Sequence, residues 1–174
     1  KEVPGLLAVA PLTLFGSNED GTISKEESEY LKMRATNIGL YILGATAVSE
    51  EGVVFVCQPR AISEKDIPSL SERAKIIKSQ GALAINQIHH GGALAVKQYS
   101  KLNPVAPSEE IANKELKDKG ILNDDNRIRE LKDNEIKELI NKFAYAAELS
   151  LKAGFDGVEI HGANGNGGSA GHDH

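Results

Sequence analysis

Residues 153–165 read Ala-Gly-Phe-Asp-Gly-Val-Glu-Ile-His-Gly-Ala-Asn-Gly, and the order of structures that they predict decides the fold. Gly154 lies at the end of a segment with helical periodicity, and residues 155–160 form a short predicted strand directly after it. The strand is followed by a turn that carries two polar side chains, His161 and Asn164. A helix, a glycine, a strand and a polar turn in this order are typical of an α/β protein with parallel strands.

The same order is found upstream, so the chain reads as alternating strands and helices. We predict strands at residues 6–10, 40–43, 82–88 and 155–160, and helices at residues 25–37, 65–80 and 134–153. Alternation of this kind indicates parallel strands joined by right-handed crossovers. The pattern allows both a closed barrel and an open doubly wound sheet. No Gly-x-Gly-x-x-Gly motif follows the first strand, which argues against a Rossmann dinucleotide site.

Two helices carry local signals for where they begin and which face they bury. Ser24 and Glu27 form a predicted capping box, in which each side chain accepts a hydrogen bond from an otherwise unpaired backbone N–H. In the last helix, apolar residues at helical spacing predict one buried face. Those residues are Ile136, Leu139, Ile140, Phe143, Ala147 and Leu151. Residues 89–131, by contrast, read as a long and mostly irregular segment with a charged, partly helical piece.

The composition is that of a single globular domain. The chain has 174 residues, a formal net charge of −5, 40% hydrophobic residues and 26% charged residues. We assign residues 1–165 to this domain and the Gly-rich residues 166–174 to a flexible tail. Mild acidity without a run of Lys and Arg argues against a nucleic-acid or membrane surface, and no stretch reaches the ~18 apolar residues of a transmembrane helix. The single cysteine, Cys57, excludes an internal disulfide and favours a cytoplasmic location.

The candidate chemistry lies beyond the carboxyl ends of the predicted strands, where parallel α/β proteins collect their functional groups. His161 and Asn164 are three residues apart, which puts both side chains on one side of a turn that enters a helix. Both can donate to the same oxygen, and two donors aimed at one carbonyl polarise it. The alternative is that Asn164 caps a helix beside a structural histidine.

Other polar residues follow the first and third predicted strands. Gln87 offers a donor and an acceptor side by side, as an imide ring edge requires, and the Thr13 hydroxyl can donate to a ligand ring. A glutamine that satisfies loop backbone and an ordinary loop threonine are the alternatives. His89 and His90 are adjacent after a strand and point apart, so we expect no metal site from them. Cys57 reads as an inert thiol.

Four stretches of the chain together resemble the old yellow enzyme family of NADH:flavin oxidoreductases. They are residues 10–13 (Ala-Pro-Leu-Thr), 45–48 (Ala-Thr-Ala-Val) with Glu51 and Gly52, 84–92 (Ala-Ile-Asn-Gln-Ile-His-His-Gly-Gly), and the stretch 153–165. The resemblance extends through residue 165 and matches the N-terminal half of the family's eight-stranded barrel. It implies four parallel βα units, half of a (β/α)8 TIM barrel, either completed by dimerisation or rearranged to an open doubly wound sheet.

The resemblance also implies an FMN site at the mouth of the barrel. The residues that it places around the flavin are Ala10, Pro11, Leu12, Thr13, Ala45, Gln87 and His161. Among them, Thr13 would tune the flavin's potential and Gln87 would pair with its pyrimidine side. His161 and Asn164 would act as the catalytic pair that holds the carbonyl oxygen of a small α,β-unsaturated substrate. The implied reaction takes a hydride from NAD(P)H to FMN, and from FMN to the β-carbon of the alkene.

The chain departs from the family pattern after residue 165. The family has a proton-donating tyrosine where this sequence has Asn166. The later strands, which supply an arginine to the flavin and grip its phosphate, have no counterpart in these 174 residues. We therefore expect weak or absent FMN binding and impaired catalysis. We interpret the junction at Asn166 as that of an engineered half-barrel fragment.

A half-barrel leaves strand edges open and one apolar face uncovered, so we expect a homodimer or pairing with a complementary half-barrel. Three functional hypotheses follow from the sequence. The first is a flavin-binding oxidoreductase half. The second is a non-enzymatic engineered half-barrel that serves as an assembly module and keeps vestigial flavin-site residues. The third is a small enzyme with new chemistry at His161.

Overall fold

The computed structural model describes residues 2–118 and 127–163 of the chain. In chain order its helices and strands are β1 (Ala8–Val9), α1 (Lys25–Arg34), β2 (Leu40–Ala47), α2 (Ile67–Ser79), β3 (Leu83–His89), α3 (Lys97–Ser100), β4 (Val105–Ala106), α4 (Glu109–Asp118), β5 (Arg129–Glu130), α5 (Asp133–Lys152) and β6 (Gly157–Ile160). Three predictions, the catalytic role of Asn164, the departure at Asn166 and the tail at residues 166–174, lie outside the described residues.

The main sheet consists of four parallel strands in the order β1-β2-β3-β6, so each strand pairs with the preceding strand of the same sheet. Helix α2 contacts both α1 and α5, and the three crossover helices form one layer beside the sheet. A doubly wound sheet reverses its strand order at a switch point, whereas the wall of a barrel does not. The described strands therefore form half of a (β/α)8 barrel, and the open doubly wound alternative is wrong.

Several predicted boundaries shift because local backbone geometry overrides the hydrophobic pattern. Helix α1 ends at Arg34, before the predicted end, because Asn37 adopts a left-handed conformation with φ of 60°. Strand β2 continues to Ala47, beyond its predicted end at Leu43. Its pairing with β3 changes register between Leu43 and Thr46, and this irregularity hides the second half of the strand from a periodicity argument.

A buried ion pair joins α1 to α2 within the helix layer. Arg73 Nε donates to Glu27 Oε1 over 2.7 Å, and Arg73 Nη2 donates to Glu27 Oε2 over 2.8 Å. Both side chains are almost fully buried, and Arg73 also donates to the hydroxyls of Ser17 and Ser69. The predicted capping box is therefore only half right: Ser24 Oγ accepts from the Glu27 N–H, but the Glu27 carboxylate is engaged with Arg73.

The predicted buried face of α5 is wrong for half of its residues. Leu139 is buried and Phe143 and Ala147 are partly buried against the core. Ile136, Ile140 and Leu151 are instead 42%, 62% and 58% exposed. The helix packs on α2, β3 and β6 through the neighbouring side that carries Leu139, Ala146 and Leu149. We call the surface formed by Ile136, Ile140 and Leu151 the open flank of α5.

Residues 89–131 are more regular than their sequence predicts. Strands β4 and β5 form a second, two-stranded parallel sheet, in which Val105 pairs with Arg129 and Ala106 with Glu130. A small separate core lies beneath it, formed by Ala106, Ala112, Leu116 and Ile128. Strands of two residues are too short to produce a detectable period, so tertiary packing alone defines them. None of the described helices combines the length and the apolar character that crossing a bilayer requires.

Candidate functional site

The chain after β1 and the strands β2 and β3 come close together around Gly44. Thr13 bridges Gly44 in parallel fashion just beyond β1. A Cβ atom on residue 44 would lie 2.7 Å from Pro11 Cβ and 2.8 Å from Gln87 Oε1. Only glycine leaves room for this contact. Pro11 and Gln87, both predicted to face the flavin, therefore meet on one surface of the sheet.

The fourth strand continues this surface through Glu159. Gln87 is the register partner of Glu159, and its Nε2 donates to Glu159 Oε1 over 2.7 Å. The adjacent residue Asn86 points the other way, because its Nδ2 donates to Ser150 Oγ of α5 over 2.9 Å. Side chains alternate along a strand, so Gln87 and Glu159 lie on the side of the sheet away from the helices. We call that side the inner face.

Two histidines lie on the inner face, one step further toward the carboxyl ends of the strands. His89 and His161 each follow Gln87 and Glu159 by two residues, so they share the same side of the sheet. Their ring centroids are 5.1 Å apart and the ring planes are tilted by 34°. The His161 N–H donates to the carbonyl of Ile88 over 3.0 Å, which continues the β3–β6 ladder to the end of the strand.

The buried side chain of Gln58 reaches the inner face from the loop after β2. Its Oε1 accepts from the Val54 N–H over 2.8 Å, and its Nε2 donates to the Ala45 carbonyl over 3.2 Å. The same Nε2 lies 3.3 Å from Nδ1 of His89. Ala45 itself is buried, with 9% exposure. Gln58 therefore links the carboxyl end of β2 to the histidine pair.

The His90 side chain points away from His89 and packs against Gly52. Its Nδ1 accepts from the Gly92 N–H over 3.0 Å, and a Cβ on Gly52 would lie 2.5 Å from its Cδ2. Burial lowers the pKa of His90 to about 4, against the opposing charge of Glu51, so the ring is neutral at pH 7. Within residues 2–118 and 127–163, no group of three or more His, Cys, Asp or Glu is placed to hold a metal ion.

The remaining predicted site residues lie at the edge of this arrangement. Leu12 is 53% exposed, and Ala10 and Thr13 are also exposed, so the segment after β1 presents its surface beside the inner face. Cys57 is buried with φ of 61°, and burial raises the pKa of its thiol, which agrees with an inert cysteine. The flavin-facing and catalytic roles assigned by resemblance stay predictions, including that of Asn164.

Sequence reasoning missed Gln58 and Glu159. Gln58 is 31 positions from its partner His89, and no local pattern links them. Glu159 carries a signal that was available, because it lies two residues before His161 on a predicted strand and so shares its face. Together the inner face offers two amides, a carboxylate and two imidazoles. Such a set can pair with the donors and acceptors of a polar ring edge and can donate to a carbonyl oxygen.

Comparison with known proteins places this arrangement in a family. Residues 6–166 match the family model described as NADH:flavin oxidoreductase / NADH oxidase family. A probable NADH-dependent flavin oxidoreductase of Bacillus subtilis, YqiG, is 39% identical over 91% of this chain and 40% of its own length. An NADH:fumarate oxidoreductase of Klebsiella pneumoniae is 37% identical over 94% of this chain and 17% of its own length.

The solved structures give the same answer for the fold. The old yellow enzyme homologue of Zymomonas mobilis superposes with a TM-score of 0.77 at 30% identity, over 92% of this chain and 45% of that chain. The chain thus spans less than half the length of these relatives, and it matches the N-terminal part of their barrel. The chain belongs to the NADH:flavin oxidoreductase family of old yellow enzyme type.

Proposed function

We propose that this chain supplies the flavin-facing half of an FMN-dependent reductase that takes electrons from NAD(P)H and reduces small α,β-unsaturated carbonyl compounds. The observation that carries the proposal is the convergence of Pro11, Gly44, Gln87 and Glu159 on the inner face, with His161 beyond them. When bound, FMN would supply the hydride chemistry, with NAD(P)H as the hydride donor, the β-carbon of the alkene as the acceptor and solvent as the source of the α-carbon proton. We place the reaction in the cytoplasm.

Two features of the inner face support a flavin site there. Residue 44 is a glycine, so the space beside Pro11 and Gln87 that a side chain would fill is open to a ring. Gln87 donates one amide hydrogen to the Glu159 carboxylate. This bond orients the other N–H and the oxygen of the amide toward a ring edge. Ala10, Leu12, Thr13 and Ala45 would line the ring from the ends of β1 and β2.

The substrate would lie against the carboxyl end of β6. His161 follows this strand and is partly exposed, so its ring can donate to a carbonyl oxygen that approaches from the open side. Asn164 is proposed as the second donor, three residues further along the chain. Polarising the carbonyl makes the β-carbon electron-poor, which is the contribution of the protein to hydride acceptance.

Affinity for FMN should be weak in this chain. The described strands provide the ring-facing residues, whereas the phosphate of the cofactor needs an anion site that they do not supply. Titration of FMN into the purified chain, followed by flavin fluorescence, tests the proposal directly. Quenching should be saturable in the wild-type chain and lost in Gln87→Leu, while Gln98→Leu, at an exposed position of α3, should behave as wild type. Equal quenching by both variants would contradict the proposed site.

An assembly role is the alternative, and the open flank of α5 favours it. Ile140 is 62% exposed on this flank, and Ile160 is 63% exposed on β6, which ends the main sheet. Exposed apolar residues, together with the outer edge of the end strand β6, invite a second copy or a complementary half-barrel. We expect wild-type chain to sediment as a dimer and Ile140→Glu to sediment as a monomer. A chain that dimerises but never binds FMN would favour the assembly module with a vestigial site.

A further inference from the structure

The inner face contains a buried amide whose orientation is fixed by the backbone. Gln58 is 1% exposed. Its Oε1 faces the Val54 N–H at 2.8 Å, and its Nε2 faces the Ala45 carbonyl at 3.2 Å. Turning the amide over would set an NH₂ group against an N–H and an oxygen against a carbonyl. Both contacts would become repulsive, so only one orientation of Gln58 is compatible with its surroundings.

This orientation determines which nitrogen of His89 carries the hydrogen. The Gln58 Nε2, a donor only, lies 3.3 Å from His89 Nδ1. The nitrogen that faces a donor must offer its lone pair, so Nδ1 is unprotonated and the ring hydrogen is on Nε2. Protonation of Nδ1 would point two hydrogens at each other in a site where His89 is 5% exposed. Gln58 therefore holds His89 as a neutral ring of one defined tautomer.

The defined ring of His89 lies directly beside His161. The two centroids are 5.1 Å apart with a tilt of 34°, and the ladder bond from the His161 N–H to the Ile88 carbonyl holds the two backbones in register. A ring that is anchored at Nδ1 cannot rotate about its χ2 angle without breaking that contact. It therefore presents a constant surface against which the His161 side chain packs.

We propose that Gln58 and His89 are positioning residues for His161, with Gln58 setting the tautomer of His89 and His89 setting the orientation of the His161 ring. The inference rests on the proposed function only for the use of His161 as the donor to the substrate carbonyl. The tautomer of His89 follows from the contacts of Gln58 whether or not the chain binds FMN. A loop-holding role for Gln58 would require its bonds to Val54 and Ala45 but no particular state of His89.

The test measures the imidazole nitrogens of the full 174-residue chain by long-range ¹H–¹⁵N NMR, which distinguishes a protonated from an unprotonated ring nitrogen. In the wild-type chain we expect His89 to be protonated at Nε2 alone. In Gln58→Glu a carboxylate oxygen replaces the donor, so the hydrogen should move to Nδ1. Gln98→Glu makes the same charge change at an exposed position of α3 and should leave His89 unchanged. A hydrogen on Nδ1 of the wild-type ring would overturn the inference without any variant.

The effect on His161 is measured separately. Ring-to-ring NOEs between His89 and His161 should be present in wild type and weakened in Gln58→Glu and in the apolar variant Gln58→Met. In FMN-loaded chain, the dissociation constant of 2-cyclohexenone should rise about tenfold in Gln58→Glu, the size of one misaligned hydrogen bond. Unchanged NOEs would overturn the positioning of His161. A wild-type chain that shows Nε2-protonated His89 but no FMN binding would support the tautomer assignment and contradict the proposed function.

Discussion

Asn86 and Gln87 are neighbours on β3 with the same amide group, yet they belong to two different regions of the molecule. Asn86 faces the helices, where Thr46 Oγ1 donates to its Oδ1 over 2.6 Å and its Nδ2 donates to Ser150. Gln87 faces the inner side, where Glu159 binds one of its hydrogens. On the face toward the helices, the Asn86 amide is bonded to other buried side chains of the fold. On the inner face, the Gln87 amide lies where we propose that a ligand binds. The same amide group therefore has a structural role on one face of the strand and a proposed binding role on the other.

The largest effect is expected from the helix side, at the buried ion pair. Arg73→Met leaves the Glu27 carboxylate buried without its partner, because both side chains are only 1% exposed. Loss of one member of a buried pair typically costs about 3–5 kcal/mol in the free energy of unfolding. Urea denaturation followed by circular dichroism measures this loss. Arg129→Met, which breaks the exposed pair with Glu135, is the control and should be far milder. Equal losses in the two variants would mean that burial does not determine how much an ion pair contributes to the free energy of unfolding.

The next largest effect is expected at Asn86 itself. Asn86→Ala removes the partner of the Thr46 hydroxyl and of Ser150 in a site with no solvent access. Unsatisfied buried groups and the cavity together should lower the free energy of unfolding by about 2–3 kcal/mol. Thr36→Ala, whose exposed hydroxyl bonds within its own helix end, is a matched polar deletion and should be nearly neutral. A loss below that of Thr36→Ala would contradict the closed network.

His90 should make the stability of the folded chain depend on pH. Its pKa is about 4 in the folded chain and 6.5 as a free side chain, so between these values the unfolded state binds a proton that the folded state excludes. Stability is therefore complete above pH 6.5 and declines as the pH falls, by about 2 kcal/mol between pH 7 and pH 5. Denaturation curves at the two pH values measure the decline, which His90→Gln should remove. A His90→Gln chain with the same pH dependence would rule out this histidine as its source.

The smallest effect on stability is expected from the inner side, at Gln87. Gln87→Leu removes the bond to Glu159, but that carboxylate is partly exposed and can be hydrated. We expect the free energy of unfolding to change by less than about 1 kcal/mol. The comparison of the two faces is sharpest when this variant and Asn86→Ala are measured together. A Gln87→Leu loss as large as that of Asn86→Ala would show that the inner face is also structural.

The sequence predicts which face of the sheet a side chain occupies better than it predicts the hydrogen bonds between side chains on that face. Period-two alternation places Asn86 and Gln87 on opposite faces, and the strand ends locate His161 beside the inner face. The contact between Gln58 and His89 depends instead on a loop returning across 31 positions, and no local signal encodes it. Likewise, the apolar stripe of α5 contains residues of two adjacent faces, Leu139 against the sheet and Ile140 on the open flank. A periodicity argument merges them, because they are neighbours on the helix.

The strand order β1-β2-β3-β6 has a consequence for how the chain is synthesised. Each strand pairs with the one made before it, so every unit that leaves the ribosome finds its docking edge already formed. No strand of this sheet has to wait for a later one to be inserted beside an earlier partner. Folding of this part can therefore keep pace with translation, with the outer edge of β1 and the edge of the newest strand exposed to other chains.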